Sequence, residues 1–263
     1  MAELLLENKT AIIYGGGGGI GGTVARVFAR EGARVVVVGR TEDTLRAVCD
    51  DIRTAGGVAE HAVFDALDEG AVDQHVDEVV ATTGSVDVSF NLITRGDAQG
   101  TPLVEMQTDD LLRAVTNGLR SNFITARAAA RHMIRQGSGV ILHLNSASGA
   151  GAHPGMGSTG PADAATEAFM RYLAAETGRQ GIRVCGIWVA GVAETFTQRS
   201  ISEVAGEGAP TPETAVDMIS RMSVLGRAPR LADVTELAAF LASDRAAGIT
   251  GSMTNATAGL VLR

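Results

Sequence analysis

Lysine is almost absent from this chain of 263 residues. Of its 22 basic residues only Lys9 is a lysine and the rest are arginines, a bias that points to a GC-rich bacterial coding sequence. Tyrosine is nearly as scarce, with Tyr14 and Tyr172 alone, and neither is followed four positions later by lysine. Chemistry that needs a tyrosine one helical turn before a lysine is therefore excluded. The two cysteines, Cys49 and Cys185, fall in an expected helix and an expected strand. Their spacing suits no metal site, and they read as buried free thiols. No apolar run approaches the ~20 residues of a membrane helix. The first residues carry Glu3 and Glu7 around a short leucine run, which is not a secretory signal, so a cytoplasmic location is expected. A net charge of -8 lacks the basic face that nucleic acid requires. The expected partner is a small-molecule substrate, with neither nucleic acid nor membrane.

What is present is aliphatic. Hydrophobic residues make up 45% but aromatics only 4%, so the core must come from Val, Leu, Ile and Ala. Short β-branched runs alternate with amphipathic stretches. Ala11 to Tyr14 reads as a strand, Ile20 to Arg30 as a helix, and Ala33 to Gly39 as a strand without polar alternation, hence buried on both faces. Thr41 is placed to cap the next helix, with Glu42 and Asp43 in its first turn and Gly56-Gly57 as its stop. Residues 58–64, 86–93, 139–145 and 182–189 read as strands. Helices are expected from about Asp68 to Ala81, from Thr108 past Met133, and from Thr159 to Thr177. Thr211-Pro212-Glu213 is a cap followed by proline at the first helical position. A helix near Ala232–Ala242 and a strand near Ser252–Ala256 close the series. Repeated βα units imply a parallel sheet covered by helices on both faces. Without a linker or a break in composition, residues 1–263 are expected to form one domain.

The stretch "YGGGGGIGG", Tyr14 to Gly22, joins the first strand to the first helix. In that context it reads as a dinucleotide-phosphate turn. Gly15 allows the tight turn, and the helix start at Gly18, Gly19, Ile20 and Gly21 offers amides and a positive dipole end to a pyrophosphate. The bland alternative is a flexible turn, which five consecutive glycines would make costly in backbone entropy. The second strand ends in Gly39-Arg40, with no carboxylate for an adenosine ribose. An arginine there suits the 2′-phosphate of NADP, unless it is merely solvated. Asp65, with Ala66 after it, ends the third strand where an adenine edge would lie.

These features together resemble the short-chain dehydrogenase/reductase family over nearly the whole chain. The glycine turn, "FDALDE", "GIRVCGIWVAGVAET" and "LASDRAAGITG" are each similar to a family motif. The resemblance implies a Rossmann-type, doubly wound α/β fold of seven parallel strands, bound NADP(H), and a homo-oligomer, dimer or tetramer. It also implies cofactor contacts from Asn91, Val192 and Thr195, and a substrate lid around residues 190–225. The alanine-rich helices at Leu111–Met133 and Ala162–Ala174 are expected to pack on a partner subunit, because one sheet face cannot cover all their small residues.

Several motif positions depart from the family. Its Asn-Asn-Ala-Gly is here Asn91-Leu92-Ile93-Thr94, its helical asparagine falls on Gly118, and its Pro-Gly on Val189-Ala190. Ser146 matches the catalytic serine. The tyrosine position holds Thr159 and the lysine position Asp163. A phenol with a pKa of ~10 can be tuned toward neutrality by a cation, whereas an alkyl hydroxyl cannot, and an aspartate beside it works the wrong way. Asp163 could instead accept hydrogen bonds from a nicotinamide ribose, or be a helix-start acid. His153, in the loop between Ser146 and Thr159, is either a substitute proton donor or simply exposed. His143 and Trp188 read as structural. Three functions stay open: a reductase for activated C=N, C=C or C=O substrates, a non-redox isomerase or cyclase that keeps NADP as a structural part, and an inactive cofactor-binding subunit.

Overall fold

The computed structural model describes residues 4–206 and 208–262. Its centre is a seven-stranded sheet, parallel throughout, in the order β3-β2-β1-β4-β5-β6-β7. The strands are β1 (Thr10–Tyr14), β2 (Arg34–Gly39), β3 (Val58–Val63), β4 (Val88–Asn91), β5 (Gly139–Ser146), β6 (Ile182–Val189) and β7 (Ser252–Ala256). The helices are α1 (Gly19–Arg30), α2 (Glu42–Thr54), α3 (Glu69–Thr83), α4 (Thr108–Gln136), α5 (Thr159–Thr177), α6 (Gln198–Ala205), α7 (Pro212–Met222) and α8 (Leu231–Ala242). From β3 the chain crosses back over β1 and β2 to start β4. That reversal leaves a crevice beyond the carboxyl ends of β1 and β4.

The valine run explains β2. Val35 and Val37 join the layer formed with α1, α2 and α8, and Val36 and Val38 join the layer with α3, α4 and α5. Both faces are buried, as a strand without polar alternation requires. Asp68 caps α3 through the Ala71 amide, and Thr211 with Pro212 starts α7 as read. Thr41 stands at the cap position of α2, but its side chain makes no capping bond. The sequence reading missed α6, a single short helix with only Ile201 buried.

The small residues of α4 do not need a partner subunit: Ala126, Ala128, Ala129 and Ala130 are buried within one chain. Close α4–α5 packing and the sheet cover them, since small side chains let helices approach. On α5 Ala164 is exposed and Ala165 and Ala168 are half-buried, and bulky apolar groups are exposed on the two helices as well: Leu112, Leu119, Phe123, Ile134 and Tyr172.

His143 is buried in the core at the middle of β5. Among the described residues neither ring nitrogen has a hydrogen-bond partner, although the ring lies beside the Cys185 backbone. Burial lowers its pKa to about 4, and the charge of Arg95 pushes the same way. The folded state then binds fewer protons than the unfolded state between pH 6.5 and about 4, so stability falls as pH drops through that window. On the order of 3 kcal/mol should be lost across it. His143→Leu should remove that part of the acid sensitivity, read as urea midpoints of variant and parent at each pH.

Candidate active site

A cavity of about 910 Å³ fills the crevice. Gly15, Gly18 and Gly19 form one wall, Gly39, Arg40, Asp65 and Ala66 another, and Leu92 to Gly96 with Asn117 the floor. Thr197, Arg199, Ser200 and Glu203 reach over it from the start of α6. Gly15 has φ +79°, and a Cβ there would lie 2.6 Å from the Leu92 carbonyl oxygen. At Gly21 a Cβ would lie 2.2 Å from the Gly15 carbonyl oxygen. The glycine turn is thus held against the β4 loop on one side and its own helix on the other. No side chain caps α1, so its first amides face the cavity wall without an internal partner.

The other predicted cofactor residues divide into two groups. Arg40 and Asp65 stand together at the cavity mouth, 3.9 Å apart, with the Arg40 side chain 70% exposed. Such a loose, wet pair contributes little and leaves Arg40 able to turn to another anion. Asp65 also accepts the Leu67 amide. Ile20, Gly21, Asn91, Val192 and Thr195 lie behind the surface and support it. Asn91 is buried, donating to Thr125 and accepting the Ile93 amide. Val192 is in the core, and Ile20 packs against it. Thr195 sits against Gly19 and donates to the Val192 carbonyl.

The chemistry-bearing residues converge at the end of β5. Ser146 Oγ donates to Asp163 Oδ2 at 2.5 Å, and Arg95 Nη1 donates to Asp163 Oδ1 at 2.7 Å. Asp163 has a side chain 0% exposed, and that of Arg95 is 13% exposed. Arg95 also grips Asp97 with two bonds, from Nε at 3.2 Å and Nη2 at 2.8 Å. Burial raises the Asp163 carboxyl to about 6, against the opposing pull of Arg95 and Ser146. For Arg95, burial is outweighed by Asp163 and Asp97, and its pKa goes up. At neutral pH the cluster is one guanidinium between two carboxylates.

Neighbouring bonds fix this cluster. Asn145 Nδ2 donates to the Asp163 carbonyl, Gln99 Nε2 to Thr159 Oγ1 at 3.0 Å, and the Ser158 hydroxyl bonds both backbone groups of Ala98. The segment from Arg95 to Gln99 is thereby stitched to the start of α5. Asp163 is no exposed helix-start acid: it lies beyond the first turn and is fully enclosed. Thr159 is buried with its hydroxyl engaged. His153 is exposed; its carbonyl accepts the Met156 amide, and its ring makes no hydrogen bond to the described residues.

Arg95 escaped the sequence reading, because nothing in "ITRGD" says where its side chain points. Gly118 carries the available signal. A Cβ there would lie 2.7 Å from Arg95 Cδ, so the missing side chain in mid-helix is the space the arginine occupies. Gly118→Asn should therefore destabilise the fold by ~1–3 kcal/mol through overpacking, despite the better helix propensity. A thermal melt checks this, and an unchanged midpoint would mean that Arg95 moves aside freely.

The absent tyrosine–lysine pair is not supplied from elsewhere in the fold. Tyr14 is buried in β1 with an unpartnered hydroxyl, whose pKa burial and Asp73 push up. Tyr172 is 73% exposed on α5. Lys9 pairs with Asp244 before β1 begins. Among the described residues no group of His, Cys, Asp and Glu could hold a metal ion, and no helix is long and apolar enough to cross a membrane.

A family model described as enoyl-(acyl carrier protein) reductase matches residues 16–261. Tropinone reductase-like 2 of Erythroxylum coca is 34% identical over 253 residues, covering 94% of this chain and 88% of that protein. A short-chain type dehydrogenase/reductase from Mycobacterium ulcerans has a similar structure, with a TM-score of 0.86 at 27% identity over 99% of this chain and 92% of that one. So does a gluconate 5-dehydrogenase from Burkholderia cenocepacia, solved with NADP and tartrate, with a TM-score of 0.84 at 27% identity over 98% and 97% of the two chains.

Proposed function

Because this chain belongs to the short-chain dehydrogenase/reductase family, we propose that it is an NADP(H)-dependent oxidoreductase acting on an activated C=N, C=C or C=O substrate through a Ser146–Asp163–Arg95 site. The observation that carries the reading is the Ser146 hydroxyl bonded to a buried carboxylate, which Arg95 ties to the wall of a nucleotide-sized cavity. NADP(H), when bound, supplies or takes up hydride. The residues present suit it: Gly15, Gly18 and Gly19 leave room for a pyrophosphate, Asp65 and Ala66 would border the adenine, and Arg40 would pair with the 2′-phosphate. Asn91, Val192 and Thr195 hold those walls in place. The solved gluconate 5-dehydrogenase with NADP supports the choice of cofactor.

Ser146 orients the substrate. At neutral pH Asp163 is mostly ionised and seldom holds a proton to give, which favours substrates that need little protonation. Residues 190–225, with α6 and α7, act as the lid, linked to the site by the Gln99 amide donating to the Val204 carbonyl. The exposed Leu119, Phe123 and Tyr172 fit a homotetramer, which sedimentation at micromolar concentration checks.

NADPH oxidation over a panel of imines, enones and ketones tests the reaction, and turnover without cofactor consumption would replace it by a non-redox one. Arg40→Asp should reverse the preference for NADP over NAD, weakening NADPH binding by roughly 10–100-fold, the worth of one charge-assisted contact. Equal affinities of the parent for both cofactors, read by NADPH and NADH fluorescence, would overturn the assignment.

A further inference from the structure

Asp163 is sealed in such a way that its carboxylate has one outlet. Oδ1 is held by Arg95, the side chain is fully buried, and among the described residues Oδ2 meets only the Ser146 hydroxyl. Ser146 itself is half-buried and also accepts the Ser148 amide at 3.2 Å. A proton reaching or leaving Asp163 by the shortest path therefore crosses Ser146 Oγ.

We propose that Ser146 and Asp163 form a proton relay, with Ser146 touching the substrate oxygen and Asp163 as the reservoir behind it. This deepens the redox reading above and rests on it. In the oxidative direction Ser146 Oγ takes the hydroxyl proton of a bound alcohol and passes its own proton to Asp163 Oδ2. The substrate O–H bond breaks and its electron pair becomes the second C–O bond. The electron pair of the carbinol C–H bond leaves as hydride to NADP+, the co-reactant named above. Carbonyl reduction runs the same exchange backwards. Arg95 is a positioning residue: it occupies Oδ1, turns Oδ2 to the serine, and keeps the buried carboxylate from holding its proton too tightly. The charged and titratable groups around Asp163 are Arg95 and Asp97 from the segment after β4, His143 on β5, and Glu167 one turn along α5. Glu167 accepts from Trp188 Nε1 and lies 3.9 Å from Arg171. His143 changes charge at about pH 4, below the window in which Asp163 at about 6 does so.

The experiment compares substrates that need a proton with one that does not. Full-length protein is assayed with cyclohexenol and NADP+, with cyclohexenone and NADPH, and with an N-methylpyrrolinium ion and NADPH. The last accepts hydride without any proton. Carbon-13 NMR of the aspartate carboxyls reads the Asp163 midpoint directly, assigned by its loss in Asp163→Asn. In the parent, cyclohexenol oxidation should rise and cyclohexenone reduction should fall with pH through that same midpoint. In Asp163→Asn the ratio of cyclohexenone to pyrrolinium reduction should fall by ~10²-fold, a typical worth for a positioned acid. Arg95→Gln should move both the kinetic and the NMR midpoint upward together. A ratio unchanged in Asp163→Asn, with pyrrolinium still reduced, overturns the relay and leaves the redox reading intact. A parent that binds NADPH and reduces none of the probes overturns the redox reading and the relay with it. Should Asp163→Asn fail to fold, Asp163→Glu assigns the signal by removing it from the aspartate set, and Arg95→Gln decides: midpoints that move together support the relay, and midpoints that part overturn it.

Discussion

Reduction of a simple, unactivated ketone at about pH 8 is expected to run ~10²–10⁴-fold below the rate that a positioned general acid would allow. The carboxyl that Ser146 is bonded to is raised to about 6, so it is protonated in roughly one molecule in a hundred at that pH. The rate should climb as pH falls toward 6. Steady-state NADPH oxidation with cyclohexanone across that range is the measurement, and brisk turnover at high pH would point to another donor, with His153 the first to test. Installing the family pair as Thr159→Tyr with Asp163→Lys is not expected to rescue the rate. The new lysine would meet the guanidinium of Arg95, which now pairs with Asp163 at 2.7 Å. Adding Arg95→Ala and Gly118→Asn removes that cation and fills its space, so the fourfold variant should gain where the twofold one does not.

Breaking the Arg95–Asp163 pair from one side should cost ~3–5 kcal/mol, whereas removing both partners should cost far less. The two sides are unequal. Asp163→Leu leaves Arg95 with Asp97 as a partner, so part of its charge stays compensated. Arg95→Met leaves Asp163 buried without a cation, and it can escape only by taking up a proton. With Arg95 gone the folded pKa of Asp163 rises further, and the folded state binds more protons than the unfolded state between about 4 and that value. Its stability therefore falls as pH rises through the window. Urea midpoints of the parent, both single variants and Arg95→Met/Asp163→Leu form the double-mutant cycle. Additive losses would show that the pair does not act as a unit.

The α/β alternation was readable because its signals are local: an all-valine β2, glycines after β1, and proline after Thr211. Boundaries moved by a few residues, as at β4, where only Val88–Asn91 of the longer apolar run pairs in the sheet. α6 was not readable, since its short sequence buries a single residue. The site was half legible. Ser146, Thr159 and Asp163 were located by position, but the partner that gives Asp163 its character comes from Arg95, 68 residues earlier in the chain. Such a pairing depends on the order of strands β4 and β5 in the sheet, and no local pattern encodes it. Gly118 was visible as a departure, yet its meaning, a vacancy filled by Arg95, required the fold.

Lys9 offers a practical handle of a different kind. It carries the only side-chain amine in the sequence, stands just before β1, and pairs with Asp244 on an exposed edge. The glycine turn and the cavity lie at the opposite end of that strand. A dye or a solid support coupled to this side chain would therefore leave the crevice pointing away from the attachment point.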